Sequence, residues 1–214
     1  MGEALYLRLS APLQSWAGAR TTGHFVRTKS HPTFTGLIGL IAASQGWKRG
    51  EWESWVYDTE FTVRIDDPGS RVKDYQIIAN HPDEKEYRKR LAVCEGLKPK
   101  DSNYAPTGSQ PDKSAVVVRE YLAYAEFIVR VDHPTMIDRI RDGFQSPEFC
   151  VYLGRKAFAP TFPFVLGDSD NALDSVPARK SGVVQTVSLR NNSRPVYGEL
   201  GVYEGDVLEW ASAA

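Results

Sequence analysis

Cysteine is scarce in this 214-residue chain: Cys94 and Cys150 are its only two, and their separation matches no metal-ligand spacing. A disulfide-stapled secreted scaffold is therefore excluded, and a reducing compartment is expected. Histidine is equally sparse. His24, His31, His81 and His133 form no HxH, HxxxH or HExxH pair with nearby acids or cysteines, so the common zinc signatures are absent and no metal is expected. Neither GxxxxGK[ST] nor GxSxG occurs, which removes P-loop nucleotide chemistry and the nucleophile elbow. No cofactor is expected. The longest strongly apolar run, Leu37 to Ala43, is interrupted by Gly39 and is far below membrane-spanning length. The N-terminus reads as a charged alternating strand and not as a leader, so a cytoplasmic protein without a membrane partner is expected.

Net charge is also missing, at −1 overall, but it is unevenly spread. Residues 1–50 carry six Lys/Arg against the single acid Glu3, whereas residues 51–70 carry six acids against Arg64. This asymmetry points to one basic face on a balanced protein, with a second face for protein contacts. An apolar fraction of 42% supplies a core, and 11% aromatic residues leave some for stacking.

The pattern alternates between strand and helix. Leu5, Leu7 and Leu9 against Tyr6, Arg8 and Ser10 make a first strand, broken at Ala11-Pro12. Residues 35–43 are apolar nearly all round and predict a buried helix, capped by Thr33 or Thr35 and stopped at Gly46. Gly36 and Gly39 share a face at i, i+3 and are expected to admit a neighbouring backbone. Trp47, Trp52 and Trp55 read as anchors of a docked connector. Glu60–Asp66 is a strand, Asp67-Pro68-Gly69 a turn, and Arg71–Ile78 a further strand. Residues 79–114 are polar, with a charged helical piece at Asp83–Leu91, and are flanked by Ala115–Arg119 as the returning strand. Tyr121–Val131 reads as one long strand and Pro134–Phe144 as an amphipathic helix with Met136, Ile137, Ile140 and Phe144 inward. Thr161–Leu166, Val183–Leu189, Val196–Val202 and Asp206–Trp210 are further strands.

The order β-α-β, inserted arm, β-α-β, then a β-rich tail predicts an α+β protein on the split β-α-β plan, ferredoxin-like or RRM-like. The expected domains are a palm over 1–170 interrupted by an arm at 72–120, and an extension over 171–214 packed on the palm. Sheets of this kind serve single-stranded RNA, yet function must be argued from the site.

The candidate site begins in the basic loop, with Arg20, Arg27 and Lys29 before the helix, Arg8 on the first strand, and Arg155 and Lys156 in a later Gly turn. The helix start at Thr35-Gly36 offers backbone amides to a phosphate. Trp16, Phe25 and Phe34 are interleaved with the charges, as base-stacking or packing residues. This arrangement suits a sugar-phosphate chain better than a small-molecule pocket. His24 and His31 flanking Lys29 leave open a metal-independent RNA cleavage, with one histidine as base and the other as acid. A charged protein-binding scaffold is the third reading.

These residues also carry a resemblance. Leu7-Arg8-Leu9 followed by Pro12-Leu13-Gln14-Ser15-Trp16 resembles the opening LxLxGPLQSWG of the CasD family, the guide-RNA 5′-handle subunits of the type I-E CRISPR Cascade complex. Arg27-Thr28 with the segment from Pro32 to Leu40 is similar to RxT…PTKSGxxGLL, and Asp74-Tyr75 to the DY at the base of the arm. Arg119-Glu120-Tyr121-Leu122 with Ala125 and Phe127 is similar to REYLxDAxF, and Tyr152 to Lys156 to YLGRK. The matches run in family order from residue 7 to 156, and the last 45 or so residues match only loosely. Three departures stand out: Trp16-Ala17-Gly18 displaces a glycine, Phe34 replaces the basic residue of PTKSG, and Ala123-Tyr124-Ala125 lacks the Asp of DA. The resemblance implies an RRM-like palm with a β-hairpin thumb and a non-catalytic role. The palm would grip the 5′ handle of the crRNA, the thumb would pack on the backbone subunit CasC, and the handle end would meet the large subunit CasA. It adds Gln14, Tyr75 and Arg119 to the expected RNA-binding residues. A related type I-C subunit cuts RNA, so the endoribonuclease alternative stays open.

Overall fold

Alternation in the first strand is realised directly. β1 (Ala4–Ser10) sends Leu5, Leu7 and Leu9 into the core and turns Tyr6 and Arg8 to the other side of the sheet. The computed structural model describes residues 4–16, 25–78, 115–170, 172–178 and 182–203. Arg20, His24, His81, Cys94, the 79–114 excursion with its helical piece, and the strand at 206–210 lie outside them. Two compact units emerge, one formed by Met1–Ala19, Arg27–Val72 and Glu120–Ala214, the other by Arg20–Val26 and Lys73–Arg119.

The first unit holds a six-stranded antiparallel sheet. Its members are β1, β4 (Glu60–Asp67), β7 (Glu126–Asp132), β8 (Val165–Ser169), β9 (Gly182–Leu189) and β10 (Val196–Tyr203), in spatial order β10-β9-β4-β7-β1-β8. β7 pairs antiparallel with both β1 and β4, so β1 and β4 run parallel with β7 inserted between them. That is the split β-α-β arrangement, with helices following β1 and β7. The class is α+β. β9 adds to the outer side of β4, and β10 to β9.

Helices α1 (Phe34–Ser44) and α2 (Ile137–Gln145) contribute to the core with that apolar face. Leu37, Ile38 and Ile41 of α1 and Ile140 of α2 join Leu5, Leu7, Leu9, Val63, Phe127 and Val129 in one cluster. Each such fully buried side chain contributes about 1.5–3 kcal/mol relative to exposure. Thr33 is the cap of α1, its hydroxyl accepting the Gly36 N–H at 3.3 Å. At the other end Gly46, at φ +74°, donates to Ala43 C=O and Trp47 to Ala42 C=O, the paired bonds of a Schellman stop. Gly36 makes room for the Trp16 ring and not for a backbone: a Cβ there would stand 3.0 Å from the indole. Gly39 faces open space. α2 begins later than Pro134. The chain leading into it is held by His133, whose Nδ1 accepts from the Thr135 and Met136 amides at 3.1 and 2.9 Å, and Met136 is the N-cap residue.

Tyr121–Val131 is not one strand. β6 (Ala115–Ala123) ends at a turn in which Tyr124 adopts φ +57° and donates its N–H to Pro12 C=O at 3.1 Å. Gly69 packs beneath the same turn, where a Cβ would stand 2.4 Å from Ala123 O. The last core strand begins at Val165 and not at Thr161.

The face of the sheet away from the helices is not an open platform. Arg64, 1% exposed, grips Asp66 through two nitrogens at 2.7 and 2.9 Å. It also donates to the carbonyls of Leu173, Val176 and Pro177, holding that segment to the sheet. Arg130 pairs with Asp132 at 2.9 Å, and burial pushes the Tyr6 phenol up against the opposing pull of Arg130.

The tryptophan connector docks as an aromatic clasp. Arg139 of α2 lies over Trp47 and Trp55, 5.7 and 5.3 Å from the ring centroids, and pairs with Glu53. Hydrogen bonds from Arg139 and then from the Trp55 indole hold the Glu53 carboxyl below the ordinary glutamate range. A short 3-10 turn at Ser54–Asp58 leads into β4.

In the second unit, β3 (Phe25–Val26) pairs parallel with Val118 and Arg119 of β6. There β5 (Ser70–Ile78) also pairs with β6, and Lys73 sits 5.9 Å from the Phe25 ring centroid.

Candidate nucleic-acid interface

The residues around Gln14–Trp16 form a joint that gathers three separate segments of the first unit. β2 (Leu13–Gln14) pairs with Ala123 and Leu122 of β6. The wholly buried Gln14 amide donates to Leu9 C=O at 3.2 Å and Ala125 C=O at 2.7 Å, and its Oε1 accepts the Trp16 indole N–H at 3.1 Å. Ser15 N–H donates to Leu153 C=O at 3.0 Å. Gly154, at φ +93°, approaches so closely that a Cβ would fall 1.7 Å from Ser15 O. Trp16 N–H donates to the Thr28 hydroxyl at 2.8 Å, and its C=O accepts the Lys29 N–H at 2.9 Å. Its ring lies on Gly36, at the start of α1.

The Gly turn, the basic loop and the helix N-terminus are thus fixed to one short segment. Arg27, Lys29 and Lys156 are exposed there, and Thr35 is exposed at the helix start. Leu37 N–H makes the first intrahelical bond, to Thr33 C=O. The amides of Phe34 and Thr35 therefore precede the ladder, and that of Gly36 is taken by the cap. Arg155 is half-buried, donating to the Tyr121 hydroxyl at 2.6 Å and lying 5.4 Å from that ring's centroid.

Several expected contacts are spent on the fold. Trp16 is 1% exposed and cannot stack a base. Gln14 is a buried bridge. Arg8 pairs with Glu126 at 2.8 Å with both side chains largely enclosed, so its charge is neutralised within the protein. Phe34 is half-buried, edge-on to Phe61 at 5.8 Å. His31 is no solvated loop histidine. It is 5% exposed, with Nδ1 2.7 Å from Pro32 O and Nε2 3.2 Å from the Tyr197 hydroxyl. Tyr75, 69% exposed on β5, and Arg119, half-buried opposite Val26, belong to the second unit.

Sequence reasoning missed Arg71. Half-exposed beside the loop, it donates to Thr28 C=O at 3.2 Å and faces Glu120 at 3.5 Å. Its place after the Asp67-Pro68-Gly69 turn was the one available signal. Among the described residues no group of three His, Cys, Asp or Glu is placed to hold a metal, and no helix is long and apolar enough to cross a membrane.

The family model described as CRISPR-associated protein (Cas_Cas5) matches residues 4–207. The chain belongs to the Cas5 family. It is 30% identical over 179 residues to the CRISPR system Cascade subunit CasD of Escherichia coli (strain K12), a match covering 78% of this chain and 71% of that protein. A chain of a solved CRISPR RNA-guided surveillance complex superposes with a TM-score of 0.70 at 29% identity, covering 92% of this chain and 90% of the other. A second solved structure, titled as the crystal structure of a Cas protein, shares the fold with a TM-score of 0.58 at 20% identity, with 94% of each chain covered. Within this Cas5 chain the residues of YLGRK and LQSW meet physically, at the Gly154–Ser15 contact.

Proposed function

We infer that this Cas5 chain is a non-catalytic, RNA-binding architectural subunit of a CRISPR Cascade complex. In this reading it grips the repeat-derived 5′ handle of the crRNA, its arm packs on the backbone subunit CasC, and the handle end meets the large subunit CasA. The observation that carries the reading is the Ser15–Gly154 contact, which sets Lys29, Arg155 and Lys156 around one segment beside the start of α1. Cations fixed by backbone hydrogen bonds suit a phosphate chain, because their positions are set before the ligand arrives. The CasD relative and the surveillance-complex match support the same assembly.

A filter-binding titration tests it. The protein should bind RNA bearing the 5′ handle more tightly than a scrambled RNA. The salt slope should be about −0.7 for each phosphate neutralised, so removing Lys29 and Lys156 together should flatten it by roughly 1.4. Equal affinity for both RNAs at every salt concentration would overturn the reading. The endoribonuclease alternative predicts one defined cut of repeat RNA in EDTA, lost in His31→Ala. The engagement of both His31 ring nitrogens within the fold supports the non-catalytic version.

A further inference from the structure

The pairing of His31 with Tyr197 has no part in the phosphate-binding joint, yet it fixes an open aromatic ring beside it. Tyr197 on β10 stands opposite Val187 on β9, which stands opposite Val63 on β4. Val63 and Val187 are fully buried members of the core shared with α1, so Tyr197 projects from that same side of the sheet. Phe34, the first residue of α1, packs on Phe61, two residues before Val63. The Tyr197 ring therefore lies near the N-terminal end of α1.

Its hydroxyl is tied and its face is not. Tyr197 as a residue is 68% exposed, while its hydroxyl meets Nε2 of the buried His31 at 3.2 Å and the two rings are edge to face at 5.8 Å. His31 Nδ1 lies 2.7 Å from Pro32 O, which only accepts, so Nδ1 carries the proton and Nε2 accepts from the tyrosine. A tyrosine held at its polar end loses little side-chain freedom when something stacks on it. The surroundings select what that is. Lys29 lies two residues before His31, and Glu199 lies two residues after Tyr197 on the same face of β10. The carboxylate disfavours a phosphate over the ring, whereas a flat neutral base is accepted.

We propose that Tyr197 is a nucleobase-stacking subsite at the α1 end of the interface, positioned by His31 and filled by one unpaired base of the bound RNA. This rests on the RNA-binding reading above. Stacking of one base on an aromatic side chain corresponds to a roughly 5- to 150-fold difference in affinity. Fluorescence anisotropy with the 5′-handle RNA should show Tyr197→Ala weakened by about tenfold or more, with Tyr197→Phe, which keeps the ring but loses the hydroxyl bond to His31, weakened less than Tyr197→Ala. Because the side chain is exposed and its removal opens His31 Nε2 to water, Tyr197→Ala should melt close to the wild-type temperature. A scan of RNAs each with one abasic position should then find one position where wild type and Tyr197→Ala bind equally, because the stacked base is already gone. If the wild type binds the handle and Tyr197→Ala binds as tightly, or loses the same factor with every abasic RNA, the subsite is refuted and the RNA-binding reading stands. If the wild type binds no handle RNA, both fall.

Discussion

Trp16 separates two physical pictures of this protein, and truncating it distinguishes them. If it were an exposed stacking platform, Trp16→Ala would leave stability alone and weaken RNA binding. The structure instead places the indole at 1% exposure on Gly36, with its N–H given to Gln14 at 3.1 Å. Truncation then removes a buried ring and leaves a cavity, for which about 3–5 kcal/mol is usual. Trp16→Phe keeps most of the ring but leaves the buried Gln14 oxygen without its donor, a loss of about 1–3 kcal/mol. For a domain of this size each kcal/mol shifts Tm by roughly 2–4 °C. Trp16→Ala should thus melt roughly 6–20 °C lower and Trp16→Phe roughly 2–12 °C lower, followed by circular dichroism. Handle-RNA affinity of Trp16→Phe, measured well below its Tm, should stay near wild type, because Lys29 is held by the Trp16 backbone carbonyl and not by its ring. An unchanged Tm for both variants together with a tenfold loss of RNA affinity would refute the reasoning.

Gly154→Ala should disrupt the joint, since its Cβ meets Ser15 O at 1.7 Å and φ is +93°; the far-UV spectrum should persist while handle affinity falls at least tenfold in the same titration. Arg64→Met should destabilise by about 3–5 kcal/mol in urea melts by taking the guanidinium from buried Asp66 and from the Leu173, Val176 and Pro177 carbonyls, with Arg64→Met/Asp66→Leu recovering only the part due to the carboxylate. Glu53 should titrate below an ordinary glutamate in carboxyl NMR, and Arg139→Ala should move it upward. Since the folded value is the depressed one, the stabilisation from this contact is present above the unfolded pKa and fades as pH falls through the folded one.

Patterning revealed the core more fully than the site. The leucines of β1 and the apolar run of α1 are read correctly because one face of each packs against the same core, and burial imposes its period on the sequence. The turn at Tyr124 escaped because no Gly, Asn or Pro marks it; its positive φ is held by Pro12 and by the close approach of Gly69, both distant in sequence. Arg8 failed for a related reason. Alternation placed it on the correct face, but its neutralising partner Glu126 lies 118 residues away. Trp16 and Gln14 belong to a recognisable motif, yet only tertiary packing decides whether such residues face a ligand or each other. Tyr197 gave no signal at all, since nothing local distinguishes it from any strand tyrosine until His31, 166 residues earlier, is placed against it.

The insertion of β7 between β1 and β4 has a consequence for the protein's birth. Two parallel strands made first cannot join in one sheet until the strand that lies between them exists, and Ser15 waits for Gly154 to leave the ribosome before the two can meet. At roughly 5–20 residues per second, that delay is on the order of ten seconds. During it the nascent chain carries the basic loop but not the Gly turn that packs beside it in the folded protein. The joint is therefore a property of the finished chain, and an incomplete one released early would carry the Ser15 half of the contact without the Gly154 half.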